Sequence, residues 1–133
     1  MREIKFRGKE KCSGLWRCGF LLFDGEKYYI IQTIQGTLVK WIVDTNTIGQ
    51  FTGLTDKNEK PIYEGDIVAL PSQDIAFGIV TWHDNGYFFI DTSDGEWRSF
   101  GNDFRTLGEF MNLGDDHKIK VIGNIHDNFD LMK

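Results

Sequence analysis

The sequence has no long apolar run. Its uncharged hydrophobic stretches are a few residues long, against the roughly 20 needed to span a bilayer. No membrane contact is therefore expected. The opening residues, MREIKFRGKEK, are charged and lack the apolar core of a secretory signal. An organelle transit peptide also fits poorly, because strand-like alternation begins almost at once. An intracellular protein is expected, and its two cysteines, Cys12 and Cys18, are expected to be reduced thiols. Helical periodicity is scarce as well. Phe104, Leu107 and Met111 give one short helix, with Asn102 or Asp103 as a cap and Gly114 as a stop; Asp127–Met132 gives a final helical turn.

Motifs that carry chemistry are also missing. No glycine-rich loop surrounds Lys9–Lys11, and no GxGxxG follows a strand. Structural zinc sites place ligands two to four residues apart, whereas Cys12 and Cys18 are further apart and His83, His117 and His126 each stand alone. His83-Asp84-Asn85-Gly86 and Asp115-Asp116-His117 read as turns before they read as acid–base or metal sites. Glu64 and Asp66, at i and i+2 of one strand, could meet as a carboxylate pair in a metal-dependent hydrolase; the turn reading is preferred. No catalytic residue, metal or cofactor is assigned, and the chain is read as a non-enzyme.

What is present points to sheets. A hydrophobic content of 41% excludes a disordered chain, and 133 residues suffice for a self-supporting core. Asp24-Gly25, Asn85-Gly86 and Asp94-Gly95 each separate two β-rich segments, and such pairs tolerate the positive φ of tight hairpin turns. The last two turns predict a three-stranded meander over residues 76–100. Further strands are expected at Ile4–Gly8, Leu15–Leu22, Lys27–Ile34, Leu38–Val43, Ile48–Phe51, Ile67–Leu70 and Ile119–His126. Thr47-Ile48-Gly49-Gln50-Phe51 resembles Val121-Ile122-Gly123-Asn124-Ile125, which suggests an internal duplication. The expected fold is mainly β: two small SH3-like barrel halves, 1–58 and 59–133, packed as one unit with one or two short helices.

Charge and aromatics suggest where such a fold would make contacts. Residues 1–17 hold six basic residues (Arg2, Lys5, Arg7, Lys9, Lys11, Arg17) against Glu3 and Glu10, while the whole chain carries −5. Trp82, Tyr87, Phe88, Phe89, Trp97, Phe100 and Phe104 crowd one region. Adjacent strand residues face opposite sides of a sheet, so Phe88 and Phe89 cannot share a face, nor can Tyr28 and Tyr29. The predicted contact surface is Arg2, Lys5, Arg7, Lys9, Lys11, Tyr29 and Phe89. Gly53, Gly65 and Asp66 are predicted to shape turns: Gly65 by a positive-φ step, Asp66 by accepting backbone hydrogen bonds.

Four stretches taken together resemble the YopX family of phage and prophage proteins. They are Ile4-Lys5-Phe6-Arg7-Gly8-Lys9 with Trp16 and Gly19, then Ile48 to Asn58, then Ile62 to Val68, and finally Val121 to Asn128. Glu59 stands where a glycine is common in that family, and Phe129 where a proline is. The resemblance implies an intracellular β protein of unestablished activity, in the host cytoplasm if phage-encoded, and carries over no catalytic residue. The expected function is a binding or assembly module acting as a homo-oligomer or with an unknown protein partner. The alternative is a nucleic-acid accessory using the basic N-terminal strip, which the acidic remainder of the chain opposes.

Overall fold

In the computed structural model, the residues described are 3–72, 76, 78–83, 87–92, 99–100, 103–104, 107–112, 114 and 118–128. They form two units, Met1–Gly53 and Leu54–Lys133.

The first unit is built on β1 (Phe6–Lys9), β2 (Trp16–Phe23), β3 (Tyr28–Ile34), β4 (Thr37–Ile42) and β5 (Gly49–Thr55). The order is β4-β3-β2-β1-β5, all antiparallel where paired here. β2 changes partner along its length. Trp16–Gly19 pairs with β1 and Phe20–Phe23 with β3. The change falls at Gly19, where a Cβ would collide with the Ile31 carbonyl oxygen. Only glycine lets the two strands approach this closely. Gln32 fills the gap in the ladder by donating its Nε2 hydrogen to the Cys18 carbonyl at 2.9 Å. Ile30 and Val43 are buried on the inner face. One isolated bridge, Glu10 to Val43, brings the end of β4 against the end of β1. It curls the sheet without closing it strand to strand.

β3 and β4 join through Gln35-Gly36, with φ of 51° and 81°. Two consecutive positive values are those of a type I′ turn. The sequence gives a weak signal there because Gln, unlike Asn or Asp, seldom adopts that conformation. Between β2 and β3 the loop is four residues, Asp24–Lys27. Asp24 Oδ1 accepts from the amides of Glu26 (2.9 Å) and Lys27 (2.7 Å), so its side chain organises the longer turn.

The second unit contains β6 (Pro61–Tyr63), β7 (Asp66–Ala69), β8 (Gly78–His83), β9 (Tyr87–Thr92), β10 (Ser99–Phe100), β11 (Asp103–Phe104), α1 (Leu107–Met111) and β12 (Lys120–Asn124). Four strands form an antiparallel sheet of order β12-β7-β8-β9; β6 lies beside β5, whose last residues, Leu54 and Thr55, belong to this unit. Its core is Ile62, Val68, Val80, Leu107 and Ile119, with Leu54, Leu70, Met111 and Val121 packed against it.

The protein is mainly β, as expected, with little helix. The expected barrels are replaced by antiparallel sheets, and among the described residues neither closes into a barrel. Within the expected meander, β8 and β9 form a hairpin and Ser99–Phe100 pairs with β11; residues 93–98 lie outside the described residues. Phe104, expected in the helix, lies on that ribbon, and α1 begins at Leu107. The expected final turn is described only as far as Asn128, and the turn residues Asp84–Gly86 and Asp94–Gly95 lie outside the described residues. Among the described residues, no helix is long and apolar enough to cross a membrane.

Candidate functional site

Cross-strand partners share a face of a sheet, and so do residues two apart on one strand. Arg7 pairs with Cys18 and Lys9 with Trp16 on β2; Phe20 pairs with Ile31 and Leu22 with Tyr29 on β3; Ile31 pairs with Lys40 and Thr33 with Leu38 on β4. These residues therefore occupy one face, opposite to the one that buries Ile30 and Val43. This outer face has a basic end on β1 and an apolar field on β2–β4.

At the basic end the cations lie on aromatic rings. Lys5 Nζ is 4.7 Å from the Phe51 ring centre, Arg7 Cζ is 4.8 Å from that of Trp16, and Lys9 Nζ is 6.0 Å from the same ring. The ring quadrupole attracts each charge. Glu3 approaches Lys5 at 3.6 Å through an exposed side chain. On the field side, Lys40 Nζ is 4.8 Å from the Tyr29 ring. The Tyr29 hydroxyl donates to Asp24 Oδ2 at 3.0 Å. That bond, with partial desolvation, raises the Tyr29 pKa, while the Lys27 and Glu26 amides lower that of Asp24. Between these features, Phe20 is 71% exposed, Leu38 72% and Leu22 39%. Three large apolar side chains on one solvent-facing sheet surface are more than isolated exposures.

Of the predicted contact residues, the fold brings Lys5, Arg7, Lys9 and Tyr29 onto this one face. Lys11 sits in the exposed turn after β1, its amide donating to the Ile42 carbonyl. Arg2 and the Phe89 side chain lie outside the described residues, as do most of the crowded aromatics of residues 87–104; Trp82 is 43% exposed. The sequence reading missed Trp16, Phe20, Leu22, Leu38 and Lys40. Alternation along β2 could have flagged the first three as a set, but only the register tells which strand faces join.

On the inner face, Arg17 lies with Cζ 3.7 Å from the Trp41 ring centre and donates to Glu10 Oε1 at 3.0 Å. That hydrogen bond lowers the Glu10 pKa, aided by Ser13. Trp41 Nε1 donates to Gln32 Oε1 at 2.9 Å. This chain of contacts closes the bend at Gly19 and is structural.

The acidic residues beside the turns serve the backbone. Asp66 is buried, and its Oδ2 accepts from the Tyr63 amide at 2.8 Å. Gly65 has φ of 92°, its amide donates to the Val80 carbonyl, and its own carbonyl accepts from Ile125. Glu64 is half-buried in the same turn. Gly53 has φ of 86° within β5. Asp56 is buried and holds three amides: Oδ1 takes Asn58 (2.8 Å) and Lys60 (2.9 Å), and Oδ2 takes Val121 (2.9 Å). It thus ties the loop before β6 to β12. Asn124 Oδ1 accepts from the amides of His126 and Asp127, which fixes the turn after β12. Cys12 and Cys18 are both exposed. No cluster of three or more His, Cys, Asp or Glu that could hold a metal occurs among the described residues.

A family model described as YopX protein matches residues 5–133. The chain belongs to the YopX family. The residues that carried the resemblance are, in this YopX protein, largely those that build turns and strand joints: Asp56, Gly65, Asp66 and Asn124. The fold is similar to that of the crystal structure of protein EF1440 from Enterococcus faecalis, with a TM-score of 0.61 and 24% identity over 100% of each chain. At that identity the likeness is one of fold alone. No curated protein matches the chain.

Proposed function

We propose that this YopX protein is a non-enzymatic assembly module of phage or prophage origin, acting in the host cytoplasm through contacts between its own copies. The observation that carries this reading is the outer face of the first sheet, where Phe20, Leu22 and Leu38 stand exposed beside the cation-covered strip on β1. Apolar anchors inside a polar rim are what protein interfaces use. An SH3-like relationship of the units belongs to the same proposal, supported by the Gly65-Asp66 turn that opens β7.

Light scattering of the purified chain tests it. The wild type is expected to give a mass above that of one chain, rising with concentration. A Phe20→Ser, Leu38→Ser double variant is expected to be monomeric with an unchanged thermal transition. A clean wild-type monomer at high concentration would overturn the reading.

One observation favours a second reading as a nucleic-acid accessory. Lys5, Arg7 and Lys9 follow one another on the same face, about 6.5 Å apart at the rise of a strand. It predicts binding to a single-stranded oligonucleotide that weakens steeply with salt. No binding at low salt would dispose of it.

A further inference from the structure

We propose that copies of this chain associate head to tail, the outer face of one copy's first unit being covered by the acidic second unit of the next copy. The inference rests on the reading of that face as the assembly surface and goes on to name its occupant.

Charge is divided between the units. Residues 1–53 hold eight basic and five acidic residues, for +3; residues 54–133 hold seven basic and fifteen acidic, for −8. Within the first unit the division is repeated by face. Lys5, Arg7, Lys9 and Lys40 are all on the outer face by strand register. Its acids lie mostly elsewhere. Glu10 is bonded to Arg17 on the inner face, Glu26 is exposed in the β2–β3 loop, and Asp44 accepts from the Asn46 amide in the loop before β5. The acids at the outer face are Glu3, beside Lys5, and Asp24, whose carboxylate accepts from the Tyr29 hydroxyl.

Two arrangements would cover the exposed Phe20, Leu22 and Leu38. A symmetric, face-to-face dimer sets two faces of the same net positive charge against each other, and like charge across an interface opposes it. A head-to-tail contact sets a +3 unit on a −8 unit and covers the same apolar side chains. It uses two different surfaces, so a pair of copies retains one unfilled surface of each kind, and association continues into a ring or an open chain.

Mixing variants separates these arrangements. The Phe20→Ser, Leu38→Ser variant lacks the receiving face but retains the acidic unit. Added to immobilised wild type, it is expected to bind, and in solution to lower the average mass of wild-type assemblies by capping them. A Lys5→Glu, Lys9→Glu variant is expected to be monomeric alone yet also to cap wild type. Wild-type association should weaken by roughly tenfold or more when salt is raised from about 0.05 to about 0.5 M, because screening shortens the reach of the charges. Wild type that self-associates but does not bind the Phe20→Ser, Leu38→Ser variant shows a symmetric face-to-face contact. That result overturns the head-to-tail inference and leaves the assembly reading standing. Salt-insensitive association does the same. Wild type that stays monomeric at every salt concentration overturns both.

Discussion

Glu59 has φ of 64° in the loop held by Asp56. That left-handed conformation costs a side-chain-bearing residue about 1–2 kcal/mol, and glycine returns part of the gain as unfolded-state entropy. Glu59→Gly is therefore expected to stabilise the fold by about 0.5–1 kcal/mol in chemical denaturation. The missing glycine was readable in the sequence; that the position needs positive φ was not. Asp66 gives the opposite case. Asp66→Ala leaves the buried Tyr63 amide without its acceptor and is expected to cost about 1–3 kcal/mol, with Asp66→Asn costing less. A loss of some activity with stability intact would instead revive the carboxylate-pair reading. Tyr29 and Asp24 carry a pH signature. The Tyr29 phenol should ionise above its ordinary value of about 10, because its hydroxyl donates to Asp24. Ultraviolet titration of Asp24→Asn should bring it back down. The signs of the linked stability differ for the two groups. The Tyr29 contribution is present below its ordinary pKa and lost as pH rises through the raised folded value. The Asp24 contribution is present above the ordinary carboxylate pKa and lost as pH falls through the lowered one.

Strand positions were legible because β-branched and aromatic residues alternate between glycine-marked reversals. Most expected strands appear within a few residues of their predicted bounds. What escaped were features with no local signature. The type I′ turn at Gln35-Gly36 uses a residue that rarely adopts positive φ. The short β6 begins at Pro61, which is tolerated as the first residue of a strand. Ser99–Phe100, at the end of the expected meander, pairs with the nearby β11. The bend in β2 belongs to this scale as well. Gly19→Ala puts a methyl group against the Ile31 carbonyl, and relieving that overlap should cost about 1–3 kcal/mol or more. A thermal melt that barely moves would show that β2 can straighten there without Gly19.

For the whole molecule, the decisive feature is that one face of the first sheet buries Ile30 and Val43, with Phe23 and Ile34 exposed only toward its hairpin ends, while the other leaves Phe20, Leu22 and Leu38 in solvent beside a row of cations. Exposed side chains of this kind contribute little to folding, so the Phe20→Ser, Leu38→Ser variant should unfold within about 0.5 kcal/mol of wild type while losing self-association. A large loss of stability would show instead that these residues belong to a core. The sequence by itself determined the β class, the glycine-marked reversals and the basic first stretch followed by an acidic remainder, because these follow from local propensity and from counting. Only the tertiary structure decided which residues share a face. Side-chain direction alternates at every residue, so a shift of one position in strand register would exchange the buried set for the exposed one. Nothing local to β1 or β2 specifies that Lys9 meets Trp16.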